Sequence, residues 1–294
     1  MLEGFMCPQH GERPGSTNSI HYCIAECTKQ CTAPHVLAAM MIDEDTGARD
    51  ANHISVTMLS GGCKRKTLME RLLPFYSLPS KRLPTFRGRL VHGILEGGAD
   101  YLKSYEYLIE VPLQIEVTSK SGTWILRGMA DAIDKVHKVL YDNKTLQDYA
   151  FTKLVTGSND GTWSKHIPDQ YVKQLNLYKY MAEKEEIAEI IKLQLQLISF
   201  GQLVLTGTKP IVGLKRGYKW SEEEYDIPEV PILPTDEIEH IIQTEGDMWY
   251  RIIHEGERAP PRDNEWAWLC KHCNFLGTRY CPDPIKELKQ ASGE

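Results

Sequence analysis

The sequence predicts an α/β (α+β) protein with a central mixed β-sheet flanked by helices. Three observations predict it. Ile109, Val111, Leu113, Ile115 and Val117 alternate with Glu110, Pro112, Gln114 and Glu116, which is the period of a half-buried strand. Two β-rich runs follow with no helix between them, Ile125 to Val136 and Lys138 to Lys144, so they read as a tight antiparallel hairpin. Two helical periods then come, separated by a further apolar strand, as in a sheet with helices packed on it.

Taken in order, residues 1 to about 50 are polar, punctuated by Pro, Gly, Ser and Thr, and read as a cysteine-rich loop segment. Residues 51–294 form the main domain. Thr57 to Phe75 is helical in part through Met58, Leu59, Leu68, Leu72 and Leu73, with Gly61 and Gly62 as an interruption. A second helix runs from Arg87 through Leu95 toward Leu102, and the alternating strand spans Tyr107 to Val117. Asp148 to Lys165 is a Gly/Ser/Asn loop. Pro168 and Asp169 suit the first turn of the next helix, which continues through Val172, Leu175, Tyr178 and Met181 to about Lys184. Ile190 to Phe200 reads as a strand by its Leu and Ile content. The last long helix spans Asp236 to Glu255, with Asp236 and Glu239 spaced as a capping box.

At 294 residues, 41% hydrophobic and 25% charged, this is the composition of a soluble globular protein with a sizeable core. No apolar stretch is long enough to span a bilayer and no signal-peptide run opens the chain, so a cytoplasmic protein with no membrane partner is expected. Eight cysteines in that compartment argue for metal or cluster ligation rather than disulfides. The net charge of −6 does not point to nucleic acid, but its distribution does. Lys64, Arg65, Lys66, Arg71, Lys81, Arg82, Arg87 and Arg89 face a single acid, Glu70, between Cys63 and His92, while Ser221 to Tyr250 holds ten acids and no Lys or Arg. A basic run of this kind is either a solvated helix face or a phosphate-tracking surface, and its position just before His92 favours the second.

The chemistry centres on Asp131, which closes Arg127-Gly128-Met129-Ala130-Asp131, and on Asp142-Asn143-Lys144. Two carboxylates and a lysine at the ends of neighbouring strands can hold a hard divalent cation and a polarised water. Asp-Asn is also turn chemistry, so the surrounding order matters. Arg87-Gly88-Arg89-Leu90-Val91-His92 comes first, then Gly128 to Asp131, then Asp142-Asn143-Lys144-Thr145, then Gln174-Leu175-Asn176-Leu177-Tyr178.

This order resembles the RecB-like branch of the PD-(D/E)XK nucleases, over residues 57–282. The resemblance implies a restriction-endonuclease-like core and metal-dependent hydrolysis of DNA. Asp131 and Asp142 would be Mg²⁺ or Mn²⁺ ligands, joined by the backbone carbonyl of Asn143 and a nitrogen of His92. Lys144 would orient or activate the attacking water, and Gln174 and Tyr178 would position Lys144 or the DNA backbone. Asp142 stands where glutamate is commoner, a variant the family permits.

Cys270-Lys271-His272-Cys273 and Cys281 follow Trp266 and Trp268, with Cys63 far upstream. This arrangement resembles the iron–sulphur subgroup of the same nucleases, which includes AddB-type domains and CRISPR-associated exonucleases. It implies a [4Fe–4S] cluster held by Cys63, Cys270, Cys273 and Cys281. Four-thiolate zinc fits the same Cys-x₂-Cys spacing by chemistry alone. Lys64 follows Cys63 where the family often has proline. In the first fifty residues Cys7, His10, Cys23, Cys27 and Cys31 are candidates for a structural zinc knuckle, with His21 and His35 leaving the set open. The resemblance implies an exonuclease acting at DNA ends, alone or with CRISPR adaptation proteins. The alternatives are a nuclease subunit of a recombination or helicase complex and a DNA-binding module with a retired site. No Walker loop is present, so any ATPase would be a partner.

Overall fold

The computed structural model describes residues 2–6, 17–19, 22, 36, 40, 52–73, 75–77, 79–146, 151, 154, 167–199, 204–205, 227–257, 273–275 and 281. The zinc candidates Cys7, His10, Cys23, Cys27 and Cys31, the cluster candidate Cys270, and most of the 148–165 loop lie outside them. The chain gathers into two units. One comprises Met1–Ala51, Gly62–Phe86 and Gly256–Glu294; the other comprises Asn52–Gly61 and Arg87–Glu255.

In the first unit, strand β1 (Leu2–Met6) pairs antiparallel with β2 (Thr17–Ser19) and parallel with β4 (Phe75–Ser77), numbering in chain order. Strands β1 and β2 lie where the polar composition reads as loop, since pairing with a distant segment leaves no local pattern. Helix α2 (Lys64–Leu72) buries Leu68 and Met69 and carries Lys64, Arg65, Lys66 and Arg71, with Lys66 3.7 Å from Glu70.

The second unit is a mixed α/β assembly on a seven-stranded sheet, ordered β10 (Glu229–Val230), β8 (Lys192–Ser199), β7 (Val139–Leu146), β6 (Thr123–Asp134) and β3 (His53–Ser55), with β5 (Tyr107–Thr118) on β6 and β9 (Val204–Leu205) on β8. Strand β5 (Tyr107–Thr118) and β6 (Thr123–Asp134) form a long antiparallel hairpin. Val111, Leu113 and Val117 are buried, and Pro112, Gln114 and Glu116 are exposed, as the alternation predicts. Strand β7 (Val139–Leu146) turns back on β6, and α5 (Asp169–Lys184) crosses over to β8 (Lys192–Ser199), which runs parallel to β7. The short strand β3 (His53–Ser55) pairs parallel with Ile125 to Arg127 and leads into α1 (Val56–Ser60). Because β5 occupies one edge of β6 throughout, β3 and β7 must share the other. Pairing with β3 stops at Arg127 and pairing with β7 starts at Ala132, so Gly128 to Asp131 line a notch in the sheet.

Helix α3 (Pro79–Gly97) begins earlier than its apolar pattern indicates, with a proline in the first turn, where no N–H is needed. Helix α4 (Ala99–Leu102) and a short 3₁₀ turn lead to β5, and β9 (Val204–Leu205) and β10 (Glu229–Val230) complete the sheet. The last helix, α6 (Thr235–Tyr250), starts after Pro234 with no side-chain cap. The expected capping box is therefore absent: Asp236 lies inside the first turn, and Glu239 accepts a hydrogen bond from the Tyr180 hydroxyl at 3.0 Å. Trp124, Leu126, Ile133, Leu140, Leu175, Met181 and Trp249 are fully buried, at about 1.5–3 kcal/mol each for the aliphatic members. A Cβ on Gly246 would overlap the Trp124 ring, so α6 reaches its seat on the sheet only with glycine there.

Candidate active site

The notch in β6 is where the expected residues meet. The β6–β7 ladder ends at Ala132 and Tyr141, and the next contact is made by a side chain, with Asp131 Oδ2 accepting the Asn143 N–H at 2.5 Å. The β5–β6 ladder is irregular at the same level. Ile109 pairs with Ala132 and Val111 with Ala130, but between them Glu110 is left-handed at φ 49°. A non-glycine residue there costs roughly 1–2 kcal/mol. The exposed–buried alternation of β6 gives way at this level to an unbroken buried run, Ala130 to Asp134. Glu110 Oε1 lies 2.7 Å from His92 Nδ1, which is itself 3.9 Å from Asp131 Oδ1. His92 from α3, Glu110 from β5 and Asp131 from β6 offer ligand atoms all within 4.8 Å of one another.

Beside this group runs a chain of polar contacts. Lys144 Nζ sits 2.6 Å from Asp142 Oδ2 and donates to Gln174 Oε1 at 3.2 Å, and Gln174 Nε2 donates to the Tyr178 hydroxyl at 3.1 Å. The ammonium also lies 5.1 Å from the centroid of the Tyr171 ring, a cation–π distance. Tyr171, Gln174 and Tyr178 share one face of α5 by their helical spacing. Gly128 makes that face accessible to the strand: a Cβ there would stand 2.5 Å from the Tyr178 ring and 2.9 Å from Val56 Cγ2.

Burial and then the charge of Asp142 push the Asp131 carboxyl up to about 7, against the opposing pull of the Asn143 N–H, His92 and Lys144. Burial also raises Asp142, although Lys144 works against it. Burial alone would lower Lys144, but the ion pair with Asp142, aided by Asp131, reverses that and raises it. Tyr178 is pushed up to about 12, chiefly by burial, so its hydroxyl is neutral at ordinary pH. Among the described residues one ammonium thus serves two buried carboxyls, and no lysine or arginine pairs with Asp131 itself. An imidazole and carboxylate oxygens in so compact a group fit a divalent cation of the Mg²⁺ or Mn²⁺ kind, which would relieve the repulsion at Asp131.

His92, Asp131, Asp142, Asn143, Lys144, Gln174 and Tyr178 therefore lie in one neighbourhood. The close group contains Glu110, while Asp142 is engaged by Lys144, and Asn143 contributes its N–H to Asp131. Glu110 and Tyr171 are additions the sequence conceals. Glu110 reads as one more polar position in an alternating strand, and only the register that sets it opposite Asp131 distinguishes it. Tyr171 could have been found as the residue one turn before Gln174.

In the first unit Cys63 precedes α2, and its carbonyl accepts the Thr67 N–H at 3.0 Å. Cys273 and buried Cys281 pack with Phe275 against Met69 and Leu73, at the other end of that helix. Cys273 Sγ accepts the Phe275 N–H at 3.4 Å. None of the three described cysteines is in a disulfide, and among the described residues they do not form a ligand group as compact as that around Asp131.

No family model matches the chain, and no curated protein sequence does. Among solved structures, it is similar to a crystal structure of SSO0001 at 17% identity and a TM-score of 0.46, covering 82% of this chain and 92% of that one. A likeness so slight carries no inference about activity.

Proposed function

We propose that the chain is a metal-dependent deoxyribonuclease with a restriction-endonuclease-like core of the RecB type, hydrolysing phosphodiester bonds at DNA ends. The observation that carries this reading is the close group of His92, Glu110 and Asp131 beside an ammonium, Lys144, that is held by Asp142, Gln174 and Tyr171. Mg²⁺ or Mn²⁺ held by His92, Glu110 and Asp131 would supply Lewis-acid polarisation of the phosphate and acidify a water.

The chain's own groups account for the remaining needs. With its pKa raised, Lys144 stays protonated at neutral pH, so Nζ donates to a non-bridging phosphate oxygen or the attacking water rather than accepting a proton. Asp142, Gln174 and the Tyr171 ring hold that donor in place before substrate arrives, which spares reorganisation during the reaction. Tyr178 acts one step further out, through Gln174. In the net reaction the water oxygen bonds to phosphorus, the bond to the leaving oxygen breaks, and a proton passes to that oxygen.

For the cysteines, a [4Fe–4S] cluster on Cys63, Cys270, Cys273 and Cys281 is the accompanying reading. It rests on the resemblance of the cysteine spacing and on an N–H donated to the Cys273 sulphur. Anaerobically purified protein should be brown and contain iron; colourless protein with zinc alone at these thiols would refute the cluster. The nuclease reading is tested with end-labelled single- and double-stranded DNA, using wild type and Asp131→Ala with Mg²⁺, Mn²⁺ or EDTA. Cleavage is expected only from wild type with metal. Equal cleavage by the two proteins, or none by either, would sink the proposal.

A further inference from the structure

Beyond the reacting groups, β6 carries a cation whose charge the described structure does not neutralise. The geometry points to a second phosphate-binding position at Arg127, one that grips the DNA strand a few nucleotides from the bond being cut; this rests on the nuclease reading above.

Arg127 is the last residue of β6 paired to β3, just before the notch that contains Asp131. At the rise of a strand, its Cα stands about 13 Å from that of Asp131. Successive phosphates of one strand advance ~3.4 Å along a duplex, so the separation corresponds to a few nucleotides. Burial places Arg127 on the exposed face of β6, next to its register partners Gln114 and Ser55. Met129, the next residue on that face, is 45% exposed and offers an apolar surface to a sugar or base between the two positions. The metal group remains accessible to solvent as well, with the His92 side chain 33% and the Glu110 side chain 20% exposed.

The guanidinium is held without being neutralised. Arg127 Nη1 lies 3.2 Å from His53 Nδ1. Arginine has no acceptor, so Nδ1 must carry the lone pair, and the proton of the neutral ring sits on Nε2. Among the described residues no carboxylate lies within ion-pair distance of Arg127, in a chain whose net charge is −6. A guanidinium anchored at Nη1 by His53, with its other N–H groups facing solvent, is suited to a phosphate, which it can meet with two parallel hydrogen bonds. Such a contact carries charge but no base sequence, so it should strengthen binding to any DNA strand equally.

The test is binding of a fluorescent single-stranded DNA oligonucleotide to the full chain across salt concentrations, with Ca²⁺ replacing the catalytic ion. Arg127→Gln should weaken binding roughly tenfold and reduce the slope of log affinity against log salt by about 0.7, the signature of one lost phosphate contact on a single strand. Arg127→Lys should retain the slope. Oligonucleotides with one uncharged methylphosphonate at successive positions would locate the contact: wild type should be sensitive at one internal position where Arg127→Gln is not. If wild type binds and cleaves DNA but Arg127→Gln keeps the full slope, this position is wrong and the nuclease reading stands. If wild type neither binds nor cleaves DNA, the nuclease reading falls and takes this inference with it.

Discussion

Asp131 and Asp142 stand side by side where β6 and β7 part, both nearly sealed from solvent, and they are held in different ways. Asp142 has the Lys144 ammonium at 2.6 Å. Asp131 has a backbone N–H, and a histidine nitrogen 3.9 Å away that lies closer to Glu110. The contrast shows how one pair of like residues divides two tasks. Asp142 has a built-in cation, while in the proposed site Asp131 and Glu110 would take theirs from outside.

The largest expected effect follows from removing each carboxylate in turn. Asp142→Asn leaves Lys144 without its partner in a buried setting and should cost about 3–5 kcal/mol in urea unfolding with EDTA present. Asp131→Asn removes a repelled charge and keeps an acceptor for the Asn143 N–H, so metal-free stability should hold or rise. Similar losses in both variants would erase the distinction.

The same asymmetry sets a pH dependence. With its carboxyl raised from the usual 3.8 to about 7, the folded metal-free protein keeps a proton on Asp131 that the unfolded chain has released. Stability should therefore fall as pH rises from about 4 to about 7, by a few kcal/mol, with Asp142 acting in the same direction. Mn²⁺ should restore most of it at neutral pH and little at pH of about 4, where protons compete for the ligands. Thermal unfolding with and without Mn²⁺ across this range checks the sign; a metal effect that does not vary with pH would count against it.

Gly128→Ala should be smaller, about 1–3 kcal/mol, because the added methyl must displace the Tyr178 ring and Val56. Cleavage should fall with it, through the link from Tyr178 to Gln174 and Lys144; full activity in a destabilised variant would break that link. The smallest effect is expected at Tyr171. Replacing it with leucine removes a cation–π contact worth about 0.5–2 kcal/mol, so kcat should drop by up to roughly thirtyfold. Phenylalanine, which keeps the ring face, should restore most of the loss, and a phenylalanine variant as impaired as leucine would point to the hydroxyl instead.

Much of this arrangement is legible in the sequence, for identifiable reasons. The strands carrying Val111, Leu126 and Leu140 and the helix through Leu175 and Met181 have periods set by burial on one face, and a hairpin brings Asp131 to Asp142 by local chain reversal alone. What is not legible depends on distant or conformational facts. His53 to Ser55 becomes a strand only by pairing with residues some seventy positions later. Asp236 and Glu239 have the spacing of a capping box, but Pro234 starts the helix and Tyr180 takes Glu239. Glu110 is the clearest case: its role follows from a left-handed backbone opposite Asp131, and no side-chain pattern announces that.

The most direct test of the account is calorimetric titration of Mn²⁺ into metal-free wild type, Asp131→Asn and Glu110→Gln near neutral pH. Wild type should bind, with affinity lost or reduced by at least about 100-fold in Asp131→Asn and by about 10–100-fold in Glu110→Gln. Absence of binding by wild type, or equal affinity in all three proteins, would contradict the claim that these carboxylates form a cation site.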